Sequence, residues 1–167
     1  KTIIVYNKKH KKHFNKLKLK NTIKIIGGKT RQESAFKALK KIEKMGCSKV
    51  LIHDAARPIV KKKTIGQIII KLKNNDAVIP VIKVNDATKR VKENIVFKNI
   101  KRDTLNLSQT PQGFKFKTIY EKHKKNINGI LDDDSALLTN SGEKVLVIKG
   151  DKTNLKITDK EDLDIFK

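Results

Sequence analysis

Five short stretches carry side chains able to bind a ligand or a metal ion. In Val50-Leu51-Ile52-His53-Asp54-Ala55-Ala56-Arg57-Pro58, an apolar strand runs out into a carboxylate and an arginine. Ligands of open α/β sheets bind beyond the carboxyl ends of the strands. There Asp54 can hold a metal ion or a ribose hydroxyl and Arg57 a phosphate, with small Ala55 and Ala56 leaving room. The same two residues can instead close a structural ion pair. His53 either orients Asp54 or sits as a satisfied core histidine. Gly27-Gly28-Lys29-Thr30 ends like a P-loop, but the glycine which that motif needs five positions before Gly28 is Ile23, so a Walker-type NTPase is excluded. What remains is a backbone that a ligand can approach closely at a helix N-terminus, or simply a tight turn.

The other three stretches are less specific taken singly. Asp132, Asp133 and Asp134 stand before a helical segment, so one of them is its N-cap, and together they are also a candidate metal set. Asn154-Leu155-Lys156-Ile157-Thr158 places a lysine ahead of a capped helix, and Gln109-Thr110-Pro111-Gln112 is an extended turn rich in uncharged hydrogen-bonding groups, or a plain loop. His10 and His13 have helical spacing but no third ligand among the surrounding lysines, and read as solvated.

These stretches must be positioned by alternating strands and helices. Apolar runs at 2–6, 22–26, 49–53, 77–82 and 144–148 read as strands, and segments of helical period at 32–45, 63–73, 116–125, 133–140 and 159–166 read as helices. This rhythm is that of βα units around a parallel sheet. Thr30 with Glu33 and Thr158 with Glu161 have capping-box spacing, and Gly46 fits a helix end. Residues 84–108 break the rhythm: polar and apolar residues alternate without a compact core face, which predicts an extended hairpin or arm that packs on something else, a partner subunit first of all.

With 40 Lys plus Arg against 17 Asp plus Glu, the 167 residues carry a formal charge of +23, enough for one folded domain with a strongly basic surface. Only Arg31, Arg57, Arg90 and Arg102 are arginines, and the lysines are scattered, so the excess reads as solvated cover rather than a nucleic-acid footprint. No apolar run approaches the ~18 residues of a membrane span. The single Cys47 suits a reducing cytoplasm.

In chain order, GGKTRQES (27–34), VLIHDAARP (50–58), NDATKR (85–90), KR (101–102), QTPQGF (109–114), DDDSALL (132–138) and NLKITDKEDL (154–163) resemble the 2-C-methyl-D-erythritol 4-phosphate cytidylyltransferase family, from about residue 3 to the C-terminus. The resemblance implies a Rossmann-like nucleotidyltransferase sheet with helices on both faces and a protruding β-arm, in a single domain over 1–167. It implies transfer of a cytidylyl group from CTP to methylerythritol phosphate with Mg2+ or another divalent cation. Under it, Gly28 and Ser34 contact cytosine, Asp54 serves ribose and metal, Ala55 lines the nucleotide pocket and Lys156 meets phosphate. Arg57, Thr110, Thr88 and Arg102 bind substrate, Arg102 reaching a neighbouring subunit's site from the arm, so that a homodimer is implied.

Three departures accompany the resemblance. Ala87 stands where the family has threonine, with Thr88 adjacent, and Leu131 replaces the threonine before the acidic pair at 132 and 133. The family's first strand and glycine-rich loop, with an Arg and a Lys for the triphosphate, have no counterpart, and the chain starts at Lys1. The domain is therefore expected to be incomplete at its N-terminus, and the chain alone weak or inactive. The same motifs occur in enzymes fused to a downstream cyclodiphosphate synthase, which leaves a bifunctional parent open. The alternatives are a cytidylyltransferase for another polyol phosphate such as ribitol phosphate, and a basic nucleic-acid-binding domain with the lysine runs at 8–12 and 61–63 as its footprint.

Overall fold

The computed structural model describes residues 1–126 and 131–166, without the side chain of Phe166. Contacts divide the chain into two compact units: residues 1–52 with 114–145, and residues 53–113 with 146–167.

In the first unit, β1 (Thr2–Tyr6) pairs in parallel with β2 (Thr22–Ile26), Ile4 opposite Lys24. A helical stretch not foreseen in the sequence lies between them, a 3-10 turn at Lys8–His10 followed by α1 (Lys11–Lys16). His10 and His13 are exposed on it, as expected, and Phe14 stacks on Tyr6 with ring centroids 4.7 Å apart. Next, α2 (Arg31–Ile42) buries Leu39 and turns its lysines outward. Thr30 caps it, its hydroxyl accepting from the Glu33 N–H at 3.0 Å. Glu33 completes the box one residue early, on the N–H of Lys29. A 3-10 turn at Glu43–Met45 and Gly46 at φ +65° end the segment, and β3 (Lys49–Ile52) follows. Beyond the second unit's insertion, α4 (Phe116–Lys125) lies against α2 and buries Ile119 and His123, and the short α5 (Ala136–Thr139) buries Leu137 and Leu138.

In the second unit, α3 (Lys62–Lys71) packs on β4 (Ala77–Lys83), whose first residues form the core with Ile68 and Leu72. Gly113 lies so close to α3 that a Cβ there would stand 2.2 Å from Ile68 Cγ2. The strand β4 pairs antiparallel with β7 (Asn106–Ser108) and parallel with β9 (Leu146–Lys149). The arm is a hairpin of β5 (Thr88–Lys92) and β6 (Ile95–Ile100), joined through Glu93 and Asn94 at φ +50° and +64°. Two consecutive left-handed residues form the tight turn whose twist matches that of paired strands. Its apolar residues Val91, Ile95, Val96 and Phe97 are all exposed, Ile95 by 69%.

Three sequence readings are corrected. Gln112 is not loop but the start of β8 (Gln112–Lys115), across which the division between the two units falls. The expected helix at 133–140 shrinks to α5, because Asp133 caps so late, accepting from the Ala136 N–H at 3.1 Å. The expected helix at 159–166 is a 3-10 stretch, Glu161–Phe166, and Asp162 rather than Glu161 receives the Thr158 and Asp159 N–H groups. Among the described residues no helix is long and apolar enough to cross a membrane.

Candidate active site

The second unit gathers the widest-spaced of the sequence-selected residues. Directly after β3 the backbone turns, the Arg57 N–H donating to the Asp54 C=O at 3.0 Å, with Ala55 and Ala56 at the bend. The Asp54 N–H donates to the Thr110 hydroxyl at 3.0 Å. Asp54 Oδ2 lies 3.3 Å from Lys156 Nζ, so the expected phosphate lysine and the expected metal or ribose carboxylate meet as an ion pair. The N–H of Ile157, next after Lys156, donates to the Ala56 C=O at 2.8 Å and holds that strand of chain against the turn.

Arg57 points its guanidinium at main-chain oxygens, donating to the Asn154 C=O at 2.7 Å and to the Ser108 C=O at 3.5 Å. Burial lowers its pKa, and the nearby Asp54 charge pulls it back up. It stays cationic. His53 is exposed rather than core. Its Nε2 contacts the Arg57 C=O at 3.0 Å, so that nitrogen carries the proton, and Nδ1 is left to accept from the Thr110 hydroxyl at 2.9 Å. The histidine reaches Asp54 through Thr110, which is buried.

Arg102 and Thr88 make their hydrogen bonds at the base of the arm, Arg102 to the Asn85 C=O at 2.6 Å and Thr88 to the Asp86 C=O at 3.4 Å. The sequence reading gives no role to Gln109 and Asn154, both buried polar side chains. Their only signal is a carboxamide beside the proline of QTPQ and another two residues before Lys156. Asp151 holds Lys61 at 2.6 Å and the Thr153 N–H and hydroxyl. These contacts keep its pKa at about 2.

In the first unit, Gly28 and Ser34 come together as expected, but each satisfies the other: the Gly28 N–H donates to Ser34 Oγ at 2.9 Å, and that hydroxyl donates to the Thr30 C=O at 2.8 Å. A Cβ on Gly27 would stand 2.7 Å from the same hydroxyl. The acidic run also resolves. Asp134, 1% exposed, accepts from Arg31 at 2.6 Å and from His123 Nε2 at 2.9 Å. Burial pushes its carboxyl pKa up, but the His123 hydrogen bond and the Arg31 charge outweigh burial and hold it below the usual range. Among the described residues, no three His, Cys, Asp or Glu side chains cluster as a metal site.

The sequence model described as 2-C-methyl-D-erythritol 4-phosphate cytidylyltransferase (IspD) matches residues 1–166. The chain belongs to this family. A 2-C-methyl-D-erythritol 4-phosphate cytidylyltransferase of Clostridioides difficile is 40% identical over 172 residues, covering 98% of this chain and 72% of the relative. A bifunctional IspD/IspF enzyme of Pelagibacter ubique is 44% identical over 98% of this chain, which spans 43% of that relative's length. Among solved structures, the 4-diphosphocytidyl-2C-methyl-D-erythritol synthase of Anaerococcus prevotii superposes with a TM-score of 0.86 at 30% identity, over 98% of this chain and 75% of that one. The bifunctional IspDF of Campylobacter jejuni gives 0.81 at 31% identity, over 97% of this chain and 40% of that one. The fold is therefore the Rossmann-like α/β fold of IspD cytidylyltransferases.

Proposed function

We propose that the protein carrying this chain transfers a cytidylyl group from CTP to 2-C-methyl-D-erythritol 4-phosphate, releasing pyrophosphate. The observation that carries this reading is the convergence of Asp54, Lys156, Arg57 and Thr110 at the end of β3, on a chain that belongs to the IspD family. An oxygen of the sugar phosphate attacks the α-phosphorus of CTP, and the bond from that phosphorus to the β-bridging oxygen breaks. The protein's share is in-line positioning and neutralisation of developing charge. Lys156, 46% exposed, has its ammonium free to leave Asp54 for a phosphate oxygen, and Arg57 adds a second fixed cation. Ala55, at the bend beside Asp54, leaves room for the nucleotide.

A divalent cation fits a single carboxylate here. Mg2+ commonly takes one or two protein carboxylates and completes its shell with phosphate oxygens and water, and Asp54 is the residue that would hold it. When bound, the ion neutralises charge on the triphosphate.

The arm offers Arg102 and Thr88 for substrate and a second copy of the chain as the cover for Val91, Ile95, Val96 and Phe97. Ile95→Glu in the protein is expected to halve the sedimenting mass; an unchanged mass removes the arm from the interface. The single Cys47, with no disulfide partner in the sequence, supports a cytoplasmic setting.

Pyrophosphate release from CTP, measured with methylerythritol phosphate and with ribitol phosphate, tests the function. A preference for methylerythritol phosphate is expected, and turnover confined to ribitol phosphate overturns the reading.

A further inference from the structure

Asn154 carries no charge and no nucleophile, yet its side chain is 1% exposed. Its Nδ2 donates to the Thr110 C=O at 2.8 Å. Its own C=O accepts from Arg57 Nη1 at 2.7 Å and from Gln109 Nε2 at 3.3 Å, and its N–H donates to the Asp151 C=O at 3.0 Å. Gln109 closes the same junction from the other side, accepting the Asp151 N–H at 3.0 Å and donating to the Asp151 C=O at 2.8 Å. The segments are pressed so close that a Cβ on Gly150 would stand 2.6 Å from Gln109 Oε1.

Two of the groups that Asn154 holds, Thr110 and Arg57, lead to the cluster around Asp54. Thr110, fixed through its carbonyl, takes the Asp54 N–H on its hydroxyl. Arg57 is fixed through its guanidinium, and Lys156 stands two residues further on with its ammonium on Asp54. A buried carboxamide fixes the relative place of two backbones far better than a solvated contact does: its Oδ1 already lacks a partner, and breaking the Nδ2 bond would leave a second unpaired polar group in the interior.

We propose that Asn154 is a positioning residue for cytidylyl transfer: by latching residues 150–157 to the Thr110 segment it sets where Lys156 presents its charge to phosphate. The role rests on the cytidylyltransferase reading above. A residue that only stabilises the unit would alter melting but not the chemistry of the folded fraction.

The test is a cycle of Asn154→Ala, Lys156→Ala and the double variant in the full protein. The value of kcat/KM for CTP is read at a temperature where circular dichroism shows each variant folded. A displacement of about 1 Å at a catalytic group can cost on the order of 100-fold, so Asn154→Ala is expected to lose roughly 10- to 100-fold. Acting through Lys156, it should cost little more once that lysine is gone, leaving the double variant within about 2-fold of Lys156→Ala alone. Independent, multiplying losses overturn the proposal, and so does an unchanged kcat/KM in Asn154→Ala. If Asn154→Ala does not fold, Asn154→Leu takes its place in the cycle, since it removes the donor to the Thr110 C=O at nearly the same shape, with the same two outcomes decisive. A wild type without CTP turnover overturns the functional reading and this role together; an active wild type with multiplying losses overturns the role alone.

Discussion

Two carboxylates of this chain each hold a cation, and they do so in opposite ways. Asp134 is 1% exposed and grips Arg31 at 2.6 Å and His123 at 2.9 Å from its two oxygens. Asp54 is 20% exposed and meets Lys156, itself 46% exposed, at 3.3 Å. The first arrangement commits its charge to the fold, because a buried carboxylate that loses its donors is expensive. The second keeps its charge exchangeable: an ammonium on a solvated stem gives up one oxygen for another at little cost. A committed and an exchangeable ion pair are thus separated here by burial and reach, though both are made of ordinary side chains.

The sharpest way to break this contrast is to treat the two carboxylates alike. Asp134→Ala leaves Arg31 and His123 facing an empty place in the interior, and should lower the unfolding free energy by about 3–5 kcal/mol in a urea titration. A loss under ~1 kcal/mol would erase the distinction. Asp54→Asn should do the reverse, costing under ~1 kcal/mol of stability. Its turnover should fall on the order of 100-fold, read as pyrophosphate release by the full protein.

Between the extremes lies Ser34, whose half-buried hydroxyl is shared by Gly28 and Thr30. Ser34→Ala should cost about 1 kcal/mol in the same titration and weaken CTP binding, measured calorimetrically, more than it weakens sugar-phosphate binding. The smallest effect concerns Asp151. Its carboxyl is held at about 2 against an ordinary 3.8, so its contribution to stability is complete above about pH 4 and is lost as pH falls towards 2. Asp151→Asn should flatten stability across that window and change nothing in its slope near neutrality.

The periodic parts of the chain were legible without coordinates. The strands at 2–6 and 22–26 and the helix at 116–125 fall where apolar spacing puts them: the two apolar runs pair with each other, and the helix buries Phe116, Ile119, Tyr120 and His123 along one face. The segment α1 was not legible, since a lysine-rich run with Phe14 as its anchor has no apolar stripe. The strand β8 was hidden by the proline and polar residues of QTPQ: the side chains of Gln109 and Thr110 reach Asp151 and His53, far off in sequence, while Gln112 reaches back to Ser108. The same holds for the site. Asp54 and Lys156 are paired by tertiary structure, and no local spacing announces it; the strand end singled out Asp54, the family resemblance added Lys156, and the carboxamides that tie their segments together show only as a Gln in QTPQ and an Asn two residues before Lys156.

The hairpin arm ends in consequences for the molecule as a colloid. A two-stranded ribbon that exposes Val91 and Val96 on one face and Ile95 and Phe97 on the other is a template onto which stray β-edges can grow. Lys89, Arg90, Lys92 and Lys98 are interleaved with these side chains. At low ionic strength their mutual repulsion selects against stacking by any other cationic ribbon that lacks compensating acidic groups. Adding salt shortens the range of that repulsion to a few ångströms by ~1 M. The ribbon's choice of companion is therefore governed by the electrolyte as much as by its shape.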